Sequence, residues 1–407
     1  MKPTEAAKME TTRKKALHHR ARPLPMMLHV EDRGLIYDAS QASPQRRIAC
    51  FTSLLRMASG SWLACFQIGP QKHSADSTIC LCRSTDGGVT WHELDTHFDT
   101  QWQGTPGSFN SAELVEVAPG QLMLVATWFN RSRPELPLFN PVTEGLLPGC
   151  LLKAFSTDEG STWSAWEEVP TPGLAGCAGT GPVLQWSDGK IAFPLESFKA
   201  YDDVRPIGHA ARLLPSDNRG ETFGDPVLVA QCPRGNLQYW DQRLCAGQRS
   251  GEFVGLFWTH DREQKKDLAV HACRGLLENQ QCEVTVWETK VPGQIAAPLL
   301  LKDGRWLAFT VDRRQPAAMT LWISSDGGES WPASQALPIY RHDERAQLSQ
   351  GTENVDFKQY WEDFGKWTFG HPAIRPLDHQ RVLLSYYAGT PDCMNVYWVR
   401  VRVGMSA

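Results

Sequence analysis

An all-β fold is expected, a six-bladed β-propeller of four-stranded antiparallel blades, and three features of the 407-residue chain predict it. An octet recurs at Ser84–Trp91 (STDGGVTW), Ser156–Trp163 (STDEGSTW) and Ser324–Trp331 (SSDGGESW), with a worn copy at Ser216–Phe223 (SDNRGETF). Ahead of the octets runs a second pattern, an apolar run, a tight polar turn and another apolar run, found six times. The composition agrees, since 33 Gly, 27 Pro and 16 Trp indicate many turns between short strands. Repeats of this size, each unable to bury its own faces, stack around an axis.

Each element follows from local chemistry. The turns fall at Ser59-Gly60, Pro119-Gly120, Asp188-Gly189, Ser250-Gly251, Asp303-Gly304 and Asp378-His379, each joining strands one and two of a unit. A third strand then enters the octet and a fourth leaves it. The octets start 72, 60 and 108 residues apart, and the last interval holds two repeats of 54, so a copy near Cys273–Trp287 has eroded. The sixth unit ends at Asn395–Val403 with no strand after it. Gly34–Tyr37 therefore supplies its fourth strand and closes the ring. Residues 1–27, basic and lacking an apolar stretch, read as a disordered tail ahead of one propeller at 28–407.

Several functions are excluded by pattern. The net charge of −4 is spread along the chain, without the basic footprint of a nucleic-acid binder. The longest apolar run, Ile295–Leu301, is far short of the ~18 residues of a membrane span. Eleven cysteines without a CxxC pair, and no secretion signal, suggest free thiols in a reducing cytoplasm. No cofactor is expected: P-loop, GxGxxG, GxSxG and HExxH patterns are missing, and His18-His19 lies in the tail.

Within the octet, Ser and Asp can accept the turn's exposed N–H groups, Gly allows positive φ and Trp caps the core. Calcium would need more oxygen ligands than Asp86, Asp158 or Asp326 can gather. These octets resemble the Asp boxes, or bacterial neuraminidase repeats, of the sialidase superfamily, and the resemblance covers residues 28–407. It implies that the boxes lie opposite the active site, so that chemistry sits at strand-one starts and in the loops between strands two and three.

The resemblance also implies an arginine trio gripping a carboxylate, a Tyr nucleophile paired with Glu, and an Asp acid/base. This chain departs from that pattern. Cys50-Phe51-Thr52 stands where the first arginine is expected, with Arg46 and Arg47 just before it; Trp258 stands at the second and His371 at the tyrosine. Only Arg313 and Arg314 fall near an expected arginine. Other groups remain on that face. Blade one offers His73 and Asp76, and blade three offers Glu196 beside Asp202 and Asp203. In blade four, strand alternation sends Asp241 and Arg243 to one side and Trp240 and Gln242 to the other. Blade five adds Gln294 and Asp312-Arg313-Arg314; blade six adds His371, Tyr386 and Tyr387, one tyrosine packing inward. Tyr360–Phe364, in the loop before it, suits an aromatic lid or a packed edge.

The expected activity is a sialidase-like exo-glycoside hydrolase on a carbohydrate, with a pocket biased toward anionic sugars. Asp76, Asp241, Glu353, His371 and Tyr386 are the catalytic candidates. His73, Arg243, Trp258, Asp312, Arg313 and Arg314 are the substrate-binding ones. The rival is a non-catalytic glycan- or protein-binding propeller.

Overall fold

The computed structural model describes residues 26–405 apart from 207, 315, 343–364 and 366. Among them, five antiparallel-rich sheets account for nearly all regular structure, with only short 3₁₀ turns besides. The fold of the described residues is all-β. An opening strand, β1 (Met26–Tyr37), precedes β2 (Ile48–Arg56), β3 (Trp62–Gly69), β4 (Thr78–Ser84) and β5 (His92–Glu93). The next sheet holds β6 (Gly107–Ala118), β7 (Gln121–Asn130), β8 (Gly149–Ser156) and β9 (Glu167–Val169). In the third, the first strand is split into β10 (Gly176–Gly179) and β11 (Leu184–Gln185), ahead of β12 (Ile191–Phe198), β13 (Ala210–Ser216) and β14 (Val227–Ala230). The fourth holds β15 (Leu237–Ala246), β16 (Glu252–Asp261), short β17 (Lys266–Asp267), β18 (His271–Glu278) and β19 (Gln281–Glu288). The fifth holds β20 (Ala296–Leu300), β21 (Trp306–Asp312), β22 (Ala318–Ser324) and β23 (Leu337–Arg341).

The last strands, β24 (Phe369–Pro376), β25 (Arg381–Thr390) and β26 (Cys393–Met405), share the first sheet. Its order is β24-β25-β26-β2-β3-β4-β5, with β1 pairing β26 from Met26↔Met405 to Tyr37↔Val396. One parallel bridge, Ile48↔Met394, joins two four-stranded antiparallel groups there. All six predicted turns join a first strand to a second. Five carry a glycine with φ between +75° and +91°, a backbone that side chains adopt only under strain.

The four octets fold alike. Ser84 Oγ donates to Asp86 (2.8 Å) and accepts from Gly88 N (3.0 Å), Asp86 accepts from Thr90 N (2.9 Å), and Trp91 Nε1 donates to Gly88 O (3.1 Å). The worn copy keeps that pattern with an amide: Ser216 Oγ to Asn218 (2.9 Å) and Thr222 N to Asn218 (3.0 Å). Where a fifth copy has eroded, Asn279 and Gln280 (φ 50° and 59°) make a tight β18–β19 turn, and Trp287 Nε1 reaches Gly328 O of the next octet (3.2 Å). Apolar faces pack between adjacent sheets, as where Leu63, Leu81, Leu114 and Leu124 bury one another. All eleven cysteines are free thiols. No helix among the described residues is long and apolar enough to cross a membrane.

Candidate active site

Four of the first strands break register at the same level, between Cys50 and Ser53, Phe109 and Ala112, Trp240 and Arg243, and Gly370 and Ala373. A bulge leaves two residues unpaired and re-aims them. The first of each pair, Phe51, Asn110, Asp241 or His371, lines a common cleft. Three of these take φ of +57°, +46° and +51° (Phe51, Asp241, His371), conformations costing about 1 kcal/mol or more that the surrounding sheets must impose. In three of the four pairs, the second residue, Thr52, Ser111 or Gln242, locks onto a neighbouring strand. Thr52 Oγ1 donates to His371 O and His371 Nδ1 to Thr52 O, both at 2.9 Å; Ser111 Oγ donates to Gly179 O (3.2 Å); Gln242 Nε2 donates to Leu195 O (2.7 Å). Strict alternation in β15 is therefore corrected. Trp240, Asp241 and Arg243 all line the cleft, and Gln242 alone turns away.

The cleft opens at the end opposite the octets, where second strands finish. Its walls are aromatic, from Phe51, Phe129, Phe139, Phe198, Trp240, Trp258 and Trp367, and its polar groups are Asn110, Ser111, Thr180, Glu196, Asp241, Arg243 and His371. It encloses about 100 Å³. Sites that engulf a drug-sized ligand have roughly 300–1,000 Å³.

Two carboxylates share the Arg243 guanidinium, and a third, Glu196, lies nearby. Arg243 pairs with Asp241 at 2.7 Å and lies 3.8 Å from Glu113, whose other oxygen accepts from Ser53 Oγ at 2.6 Å. Burial pushes Glu113 up. Glu196 is pushed well above the usual carboxylate range, first by burial and then by the charge on Asp241. The backbone N–H of Gln242 holds its Oε1 at 3.1 Å. Nearby His209 is lowered to about 4 by burial, so it is neutral and donates Nε2–H to Tyr239 O (2.9 Å). His371 is likewise kept neutral by burial and, next, by Arg243; with Nδ1–H on Thr52 O, its Nε2 is an acceptor.

The other sequence candidates scatter. His73 sits behind Asn110, 2.5 Å from Nδ1 to Oδ1, and burial lowers it to about 3. Asp76 is exposed on the β3–β4 turn and does not line the cleft. Tyr386 is buried against Phe309, Tyr340 and Tyr397, outside the cleft. Its neighbour Tyr387 faces the other way and accepts from Lys72 Nζ (3.1 Å), an amine lowered to about 7 by burial. Glu353 and Tyr360–Phe364 lie outside the described residues.

The expected arginine grip does not form among the described residues. Arg314 and Asp312 pair with each other at 2.8 Å on the rim. Arg313 is fully buried, donating to Gln294 Oε1 (2.6 Å) and Phe369 O (2.9 Å) with its plane 4.1 Å from the Trp367 ring. Arg243 is neutralised as described. Glu196 lines the cleft and Glu113 is buried beside Arg243, although neither is among the catalytic candidates above. Their one signal was a carboxylate inside an otherwise apolar strand, in Ala112–Val115 and Ile191–Phe198.

No family model matches the chain. A curated sialidase of Bacteroides fragilis is 24% identical over 282 residues, 64% of this chain, and the match spans about half (49%) of that protein. Among solved structures, a protein of unknown function from Dyadobacter fermentans superposes with a TM-score of 0.66 at 15% identity, covering 92% of this chain and 99% of that one. The Hadza microbial sialidase Hz136 gives 0.60 at 17% (90% and 68% covered), and the Penicillium chrysogenum α-L-arabinanase complexed with arabinobiose gives 0.58 at 13% (94% and 98%). In its general fold, this chain is similar to sialidases and other glycoside hydrolases.

Proposed function

We propose that the chain closes into a six-bladed propeller with Asp-box turns and acts as an exo-glycoside hydrolase on a terminal sugar that carries no carboxylate. Ring closure is supported by the first strands, which pack in sequence: β2 on β6, β15 on β20, β20 on β24 and β24 back on β2. A small cavity is also lined by residues from all six units, among them Ser53, Glu113, Pro182, Arg243, Pro298 and Arg375.

The observation that carries the activity is a pair of carboxyl groups in one narrow cleft with different surroundings. Burial pushes Glu196 well above the usual carboxylate range, whereas Asp241 stands against a guanidinium. Such a division separates acid from base or nucleophile. Glu196 then protonates the leaving oxygen, and Asp241 attacks the anomeric carbon or activates water. The preference for an uncharged ring follows from Arg243, Arg313 and Arg314, whose charges are already engaged by protein groups. The Asp241–Arg243 pair also suits a rival, a propeller that binds a glycan without cutting it.

A panel of aryl glycosides of neutral sugars, uronic acids and sialic acid separates the two. Release from a neutral glycoside is expected, with Glu196→Gln lowering kcat about 10²–10⁴-fold and Asp241→Asn abolishing turnover. The alkaline limb of the rate should lie above the ordinary carboxylate range and vanish in Glu196→Gln, because ionising Glu196 removes the acid. Silence across the panel, with thermal stabilisation by a glycan, transfers the assignment to the binding propeller.

A further inference from the structure

We infer that Asp267 is a positioning residue which, through a buried polar relay, fixes two tryptophans as a stacking wall for the C–H face of a neutral sugar ring. This rests on the reading of the cleft as a glycan site. Asp267 lies on β17, the two-residue strand added to the edge of β16 at the cleft end, and its side chain is 2% exposed. Oδ1 accepts from Trp258 Nε1 (2.8 Å) and His260 Nδ1 (3.1 Å), and Oδ2 accepts from Gln294 Nε2 (2.9 Å). The amide of Gln294 passes the contact on: its Oε1 accepts from Arg313 Nη1 at 2.6 Å, and the Arg313 plane lies 4.1 Å from the ring of Trp367.

Both ends of that relay are cleft walls. Trp258 and Trp367 line the cleft with ring centroids 5.7 Å apart, and Trp240 meets Trp258 edge-on at 5.2 Å while stacking on His260 at 5.0 Å. An indole packed by shape alone can slide or flip. One held through Nε1 by a buried carboxylate has its ring plane fixed. Arg313 does the same for Trp367 from behind, by a cation over the ring. The cost of burying a carboxylate and a guanidinium is high, and a hydrophobic filler would keep the sheets together as well. A relay that ends on two cleft-lining indoles uses that cost to set geometry. Their electron-rich faces complement the weakly positive C–H face of a sugar ring and repel a carboxylate.

A double-mutant cycle tests the assignment, using Asp267→Asn, Trp258→Phe and both together, with binding of methyl β-D-galactopyranoside, methyl α-L-arabinofuranoside, methyl α-D-mannopyranoside and N-acetylneuraminic acid. Asp267→Asn should weaken the best neutral glycoside about tenfold and raise KM more than it lowers kcat. In the Trp258→Phe background the same change should have almost no effect. In ¹⁵N-tryptophan spectra, slow exchange of one indole N–H, missing in Trp258→Phe, should become fast in Asp267→Asn. Should Asp267→Asn not yield folded protein, Arg313→Lys, which keeps the charge but loses the stacked plane, should weaken neutral glycosides similarly. A tenfold effect undiminished in the Trp258→Phe background, an indole exchange unmoved by Asp267→Asn, or tighter binding of N-acetylneuraminic acid than of any neutral glycoside would each overturn the inference. Binding that follows the cycle without any hydrolysis would sink the catalytic reading alone. Hydrolysis indifferent to Asp267→Asn would sink this one alone.

Discussion

The octet end and the cleft end of the molecule use the same residue types for opposite purposes. At the octet end, Asp86, Asp158 and Asp326 are exposed, and each is satisfied within five residues of itself. At the cleft end, Glu113, Glu196 and Asp241 are held by groups 60, 46 and 2 positions away, and the first two are buried. A local motif survives as a readable string, and its loss costs one turn. A site assembled from distant strands leaves almost no string, and its loss unbalances buried charge.

That contrast can be broken by experiment. Arg243→Met, which leaves two carboxylates without their shared guanidinium, should cost about 3–5 kcal/mol in urea melts and abolish turnover. A cost below about 1 kcal/mol would show that the cleft charges are as dispensable as surface ones. Asn218→Ala removes the hub of the worn octet and should cost about 1 kcal/mol, visible as a small drop in Tm.

Legibility in the sequence divides along the same line. The six turns and the octets were readable because glycine φ and Ser/Asp hydrogen bonding are decided within eight residues. β1 was readable as the partner of β26 because the last unit lacked a strand. The cleft was only partly readable: Asp241, Arg243, Trp258 and His371 do meet there, but Asp76 and Tyr386 do not line it. Alternation failed in β15 because the bulge at Asp241 breaks the period of two, and no residue type there announces a bulge. Nothing in the sequence marks Glu196 as buried, because its burial is a property of the assembled sheets.

The smallest expected effect is also the sharpest check. Asp158 is held down to about 2, led by the Thr162 hydroxyl, from an ordinary value of 3.8. Its contribution is therefore present above pH 4 and lost as pH falls toward 2. Asp158→Asn should leave Tm nearly unchanged at pH 7, as Asn218 in the worn octet suggests, and flatten the decline of Tm between pH 4 and 2. An equal decline in wild type and variant would show that the octet carboxylates are no better bound than free ones.

The four bulges uncouple two things that a regular strand ties together, the register of the ladder and the identity of the residue facing inward. Phe51, Asn110, Asp241 and His371 stand outside the ladder, so exchanging them removes no paired register position. A library confined to those four positions would vary the recognition ring on a constant frame, and the frame's melting temperature would report which exchanges the bulge backbone tolerates.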